Sequence, residues 1–161
     1  MRLHLVQHGD AVSKDLDPER PLTARGCEQV SRLGRLLAHG GIAVNRVLHS
    51  GKRRAEETAT ILAEALSPPG GVGILPGLNP RDPPEPLVEQ VAGWREDTML
   101  VAHMPILGRL ASILLCKTEA SLVRFVPGTL VALERDEDGH WRVAAVLPPE
   151  FLEPPTLHPV R

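Results

Sequence analysis

Three short apolar runs constrain this chain more than any other feature. Each ends beside a histidine, and each gives way to a segment with helical periodicity. The first, Leu3-His4-Leu5-Val6-Gln7, stops at His8-Gly9. The second, Val44 to His49, stops at Ser50-Gly51, and the third, Thr98 to Ala102, stops at His103. After the first run, Thr23 is the expected N-cap of a helix whose inward face carries Gly26, Val30, Leu33 and Leu37. After the second, Ala55, Ala59, Leu62 and Leu66 line one side of a helix from Lys52 to Leu66. After the third, Leu107, Leu110, Ala111 and Leu114 do the same between Pro105 and Leu115. Strand and helix alternating in this way predict an α/β domain with a mostly parallel sheet.

The remaining elements are weaker. Gly73 to Pro76 reads as a short strand and Glu85 to Trp94 as a short helix. Thr129 to Glu134 and Trp141 to Leu147 alternate around Asp138-Gly139, which signals a hairpin. A length of 161 residues suits one domain, here expected over residues 1–147. The proline-rich tail, 148–161, is expected to lie over the surface or to be loose.

Composition excludes several classes. A formal net charge of -2 argues against a protein that binds nucleic-acid backbones. Lys52-Arg53-Arg54 lacks the aromatic platform that single strands require. No run of about 18 apolar residues reads as a membrane span. No signal-peptide pattern stands at the N-terminus, so a cytoplasmic protein is expected. Cys27 and Cys116 fall within apolar helical patterns and are expected to be buried thiols in a reducing compartment.

Parallel strands would place the three run ends on one edge of the sheet, where α/β proteins bind ligands. That edge would collect His8, Ser50, Arg54 and His103. A helix N-terminus favours an anion, and Arg54 on its first turn adds a fork that fits phosphate oxygens. Two imidazoles and a guanidinium around a helix start suit a phosphoryl group. They suit a metal less: His4 and His8 lie four apart on a strand, not on a helix, and no cysteine or carboxylate spacing supports zinc. No metal and no cofactor are expected. Gly9 permits φ > 0 and close approach of backbone to a ligand. Asp10 reads equally as an orienting residue and as an exposed turn residue.

These blocks resemble the histidine phosphatase superfamily, the phosphoglycerate-mutase-like fold. Its Arg-His-Gly mark is matched by Gln7-His8-Gly9. Its Ser-x-x-x-Arg-Ala-x-x-Thr block is matched by Ser50, Arg54, Ala55 and Thr58, and its second histidine by His103. His8-Gly9-Asp10-Ala11, Arg20-Pro21-Leu22-Thr23-x-x-Gly26, Val47-Leu48-x-Ser50 and His103-x-Pro105 narrow the resemblance to the SixA-type phosphohistidine phosphatases. The resemblance implies a three-layer α/β/α fold and cofactor-free removal of phosphate through a phosphohistidine on His8. In that scheme Arg54 grips the phosphoryl oxygens and His103 meets the charge that grows in the transition state. The ring nitrogen of His8 away from phosphorus should donate a hydrogen bond to backbone near Gly9. Ser50 is expected to cap its helix and position Arg54, and Arg20 to add a cation at the pocket mouth. The implied partner is a phosphorylated protein, such as a histidine phosphotransfer domain, or a small phosphorylated substrate, with phosphate or sulfate able to occupy the pocket.

Two departures qualify that scheme. Gln7 stands where the family has arginine, so one charge-assisted phosphate contact is replaced by a neutral amide. Arg20 or Arg53 could substitute, the enzyme could be slow, or the domain could bind phosphate without turnover. The general acid is also open. Asp82 and Glu85 are carboxylates outside any recognisable motif, and an imidazole leaving group needs less acid assistance than an alkoxide.

Overall fold

A computed structural model describes residues 1–153. The chain runs β1 (Arg2–Gln7), α1 (Ala24–His39), β2 (Arg46–His49), α2 (Arg53–Leu66), β3 (Val72–Ile74), α3 (Glu85–Gly93), β4 (Thr98–Ala102), α4 (Ile106–Cys116), β5 (Leu130–Arg135) and β6 (Trp141–Leu147). A short 3-10 helix, Pro149–Leu152, follows β6. The six strands form one sheet in the order β3-β2-β4-β1-β5-β6. The pairs β1–β4, β2–β4 and β2–β3 are parallel, and β5 runs antiparallel to both β1 and β6. The fold is the three-layer α/β/α arrangement expected from the resemblance.

Two cores account for the layers. Val30, Leu33 and Leu37 of α1 join Ala55, Ala59 and Leu62 of α2 against Val6, Val47, Met99 and Val101. On the opposite face, Leu87 and Val91 of α3 join Ile106, Leu107 and Leu110 of α4 against Leu3, Leu5, Leu100 and Ala102. Strands β1 and β4 supply both cores, which is why they read as near-continuous apolar runs. At roughly 1.5–3 kcal/mol for each large buried aliphatic side chain, this double burial supplies most of the drive to fold.

Local signals set the element ends. Thr23 caps α1, its side chain accepting from the backbone N–H of Gly26. The β5–β6 turn has Gly139 at φ 87°, a conformation that glycine adopts without a Cβ penalty. The second strand begins at Arg46, later than the expected Val44, because Asn45 hydrogen-bonds Asp97 outside the β2–β4 ladder. The cysteine expectation is corrected. Cys27 is only partly buried and Cys116 is exposed, because Cys116 is the last residue of α4, where the chain leaves the core. Glu153, beyond the 3-10 helix, accepts hydrogen bonds from Arg25 and Gln29 of α1. The expected tail from 154 to 161 lies outside the described residues.

The strand order matters most for the site. β4 inserts between β2 and β1, so the C-terminal ends of all three lie side by side. Helix α1 leaves β1 towards one face and α4 leaves β4 towards the other. The adjacent strands β1 and β4 therefore open a crevice at their carboxyl ends.

Candidate active site

His8 follows β1 directly, and its backbone N–H donates to Ala102 O at 3.0 Å, which ties the loop to the end of β4. The imidazole is 7% exposed. Its Nδ1 lies 2.7 Å from Gly9 O. A carbonyl only accepts, so Nδ1 carries the proton and Nε2 keeps its lone pair. Arg54 Nε–H donates to that Nε2 across 3.1 Å. Burial pushes the His8 pKa down to about 4, against a raising contribution from the Gly9 hydrogen bond, and the charges of Arg54 and Arg20 lower it further. The ring is neutral throughout the physiological range.

His103 follows β4, and its ring centroid is 5.0 Å from that of His8. Burial, then the neighbouring His8, Arg54, Lys52 and Arg20, lower its pKa to about 3. Its Nε2 lies 2.7 Å from Ser50 Oγ. This corrects the expected role of Ser50. The N-cap of α2 is Lys52, with no side-chain cap bond; Ser50 Oγ accepts a long hydrogen bond from Lys52 N–H at 3.4 Å, and its close partner is His103 across the β2–β4 boundary.

Gly9 contributes by its smallness, not by a positive φ. A Cβ there would sit 2.8 Å from Val30 Cγ2. Its N–H donates to Thr58 Oγ1 at 3.0 Å, and Thr58 Oγ1–H donates to Arg54 O at 2.7 Å. Thr58, fully buried, thus joins the nucleophile loop to the helix that carries the guanidinium. It was visible in the Ser-x-x-x-Arg-Ala-x-x-Thr spacing but not among the expected site residues. Asp10 resolves as an orienting residue, since its Oδ2 accepts from Thr23 Oγ1 at 2.7 Å.

Arg20 adopts φ 52° and donates from Nε to Val12 O at 3.0 Å. Its charge bears on His8, Arg54 and His103. Arg53 turns instead to Glu57, with Nε 2.9 Å from Oε1. Gln7 is 9% exposed, its backbone N–H donates to Thr129 O, and its side-chain Oε1 has no hydrogen-bond partner. Asp82 accepts from Asn79 N–H in a local turn, and Glu85 is exposed on the first turn of α3. Among the described residues, neither carboxylate hydrogen-bonds or ion-pairs with His8, His103 or Arg54.

Three metal-competent side chains converge, among the described residues, at Asp136, Asp138 and His140. They belong to the β5–β6 turn, at the sheet end opposite His8, and Asp136 already pairs with Arg142 at 3.0 Å.

A neutral imidazole with a directed lone pair, a second imidazole and the Arg54 guanidinium thus meet at the carboxyl ends of β1 and β4. Residues 3–82 match the histidine phosphatase superfamily (branch 1), and the chain belongs to that superfamily of hydrolases. Within it, the chain is 27% identical over 149 residues to phosphohistidine phosphatase SixA of Escherichia coli strain K12, covering 87% of this chain and 89% of that protein. A solved structure of the protein histidine phosphatase SixA complexed with tungstate superposes with a TM-score of 0.84 at 24% identity, over 95% of this chain and 100% of that one. A putative alpha-ribazole-5'-P phosphatase from Escherichia coli K-12 shares the fold at a TM-score of 0.76 and 22% identity, over 92% of this chain and 98% of that one. No described helix is long and apolar enough to cross a membrane.

Proposed function

We propose that this protein is a phosphohistidine phosphatase acting on a phosphorylated protein, with His8 as nucleophile. The observation that carries the reading is the division of labour on the His8 ring: Nδ1–H is held by Gly9 O and Nε2 faces Arg54. An incoming phosphoryl group takes the place of the Arg54 contact. His8 Nε2 then attacks phosphorus, the P–N bond to the substrate imidazole breaks, and that imidazole leaves with a proton from solvent. Water next attacks the phosphohistidine, releasing inorganic phosphate and restoring the neutral ring. Arg54 and Arg20 balance the phosphoryl charge. His103, neutral without an anion, gains a proton more readily beside a phosphoryl dianion and meets charge on the equatorial oxygens.

Two features favour a P–N substrate. The first step exchanges one phosphoimidazole for another, so it is close to balanced in bond type. Among the described residues, no carboxylate hydrogen-bonds to either ring, and Asp10 is bonded to Thr23. An alkoxide leaving group would need such an acid. The proposed compartment is the cytoplasm, compatible with two unpaired and accessible thiols, Cys27 and Cys116.

The test uses a histidine-phosphorylated phosphotransfer domain and an aryl phosphate, each with wild type and His8→Ala. Release of phosphate from the phosphoprotein by wild type alone supports the reading. Faster turnover of small phosphoesters would assign a general phosphatase instead. Gln7 motivates a second reading, a phosphate-binding domain with little turnover. It expects phosphate to raise Tm while wild type and His8→Ala release phosphate equally slowly.

A further inference from the structure

The hydrogen bonds of Ser50 leave one of its positions unused, and which one depends on His103. Ser50 Oγ lies 2.7 Å from His103 Nε2 and 3.4 Å from the backbone nitrogen of Lys52. A neutral imidazole carries a single proton, on Nδ1 or on Nε2. His103 Nδ1 is buried and has no hydrogen-bond partner. A proton on Nδ1 would be a buried donor with nothing to receive it. Orphaned buried N–H groups are rarer in folded proteins than under-used acceptors, and each costs its desolvation. The proton of His103 therefore sits on Nε2 and is donated to Ser50 Oγ.

Ser50 Oγ then accepts twice, from His103 Nε2–H and from Lys52 N–H, and its own O–H is unspent. Among the described residues no group accepts that proton. Ser50 is half-buried, directly after β2 and just before α2. Arg54, Lys52 and Arg20 all bear on the neighbouring His103, so the acceptor this position favours is an anion. The His103 ring is 5.0 Å from that of His8, which places Ser50 one hydrogen bond away from the pair of imidazoles.

We propose that Ser50 is a further ligand of the phosphoryl group, its O–H donating to a phosphoryl oxygen while its Oγ accepts from His103 Nε2–H. This inference rests on the phosphatase reading of the crevice. His103 and Ser50 form a chain of donors that ends on the anion, and each bond polarises the next. The terminal O–H strengthens as charge grows on the equatorial oxygens. No covalent bond to Ser50 forms or breaks, and His8 remains the nucleophile.

The experiment uses the full chain as wild type, Ser50→Ala and Ser50→Thr. It measures binding of inorganic phosphate by calorimetry, turnover of an aryl phosphate, and the His103 ring ¹⁵N resonances. Ser50→Ala is expected to weaken phosphate binding by about tenfold and to lower kcat by about 10–10²-fold. Ser50→Thr, which keeps the hydroxyl, should recover most of both. The wild-type resonances should show the Nε2–H tautomer of His103, a readout that needs no variant to fold. An Nδ1–H tautomer would overturn the proposal, and so would a Ser50→Ala protein that binds phosphate and turns over as wild type does. Wild type that binds phosphate without turnover would remove the phosphatase reading alone, and the affinities would still decide the role of Ser50. Wild type that neither binds phosphate nor turns over would remove both.

Discussion

Arg54 Nε–H is aimed at the lone pair of His8 Nε2 from 3.1 Å, so in the proposed mechanism the guanidinium stands where phosphorus would arrive. The contact holds the His8 ring in register, and the proposed mechanism exchanges it for phosphoryl oxygens when substrate binds. Arg54→Ala removes both the alignment and a fork of charge-assisted donors. The expected loss in kcat is about 10²–10³, on the scale of removing one oxyanion donor. Arg54→Lys keeps the charge but not the fork, and is expected to recover only a small part of that rate. Initial rates on the phosphoprotein and the aryl phosphate check both.

Gln7 sits at the end of β1, paired in register with Ala102, one residue before each histidine. Its side chain is buried, yet its Oε1 finds no partner. Gln7→Arg would place a second guanidinium next to the nucleophile. Turnover of the aryl phosphate is expected to rise by about 10-fold or more, because a charge-assisted contact is roughly twice as strong as a neutral one. A fall in rate would mean that the crevice is built around the amide.

The lowered pKa values of His8 and His103 bear on both activity and stability in acid, and the lowered values of His4 and His49 add to the second. His8 is needed neutral, and its folded-state pKa is about 4 against an ordinary 6.5. The acid limb of kcat/KM is therefore expected near pH 4, not near 6.5. For stability, the unfolded chain binds more protons than the folded one between those values, so unfolding free energy rises with pH across that window. Tm should drop as pH falls from about 6.5 towards 4, with His103, whose value is about 3, extending the loss downwards. His103→Ala should flatten the dependence of Tm on pH, as calorimetry at matched ionic strength would record.

Much of this site could be read before any coordinates, and the reason is local. The ends of β1 and β4 are marked by apolar runs that stop at a histidine, and Thr23 announces α1 through its own cap bond with Gly26. The Nδ1 bond of His8 to Gly9 O was also readable, because it spans one residue. What escaped depends on which strands become neighbours. Ser50 and His103 are 53 residues apart, and only the placement of β2 beside β4 brings Oγ within 2.7 Å of Nε2. Thr58 belongs to a visible spacing, yet its bond to Gly9 N–H requires α2 to pack across the end of β1.

The same reasoning gives Gly26 a role that helix propensity would hide. A Cβ at Gly26 would lie 2.1 Å from the backbone O of Asp10 and 2.9 Å from its N. Those atoms are backbone of the loop that continues from His8 and Gly9, so they cannot swing aside as a side chain would. Alanine is the better helix former by roughly 1 kcal/mol, but the overlap costs more, about 2–3 kcal/mol net for an overpacked site of this kind. Gly26→Ala is thus expected to lower Tm by several degrees and to reduce turnover, because relief of the clash moves Asp10 away from Thr23 and with it the His8 loop. Gly93→Ala, at the end of α3 where nothing lies within 4 Å of the added Cβ, should leave both unchanged or slightly raise Tm. Thermal melts and phosphate release on the pair separate close packing at the nucleophile loop from a general effect of glycine replacement; equal behaviour of the two variants would contradict it.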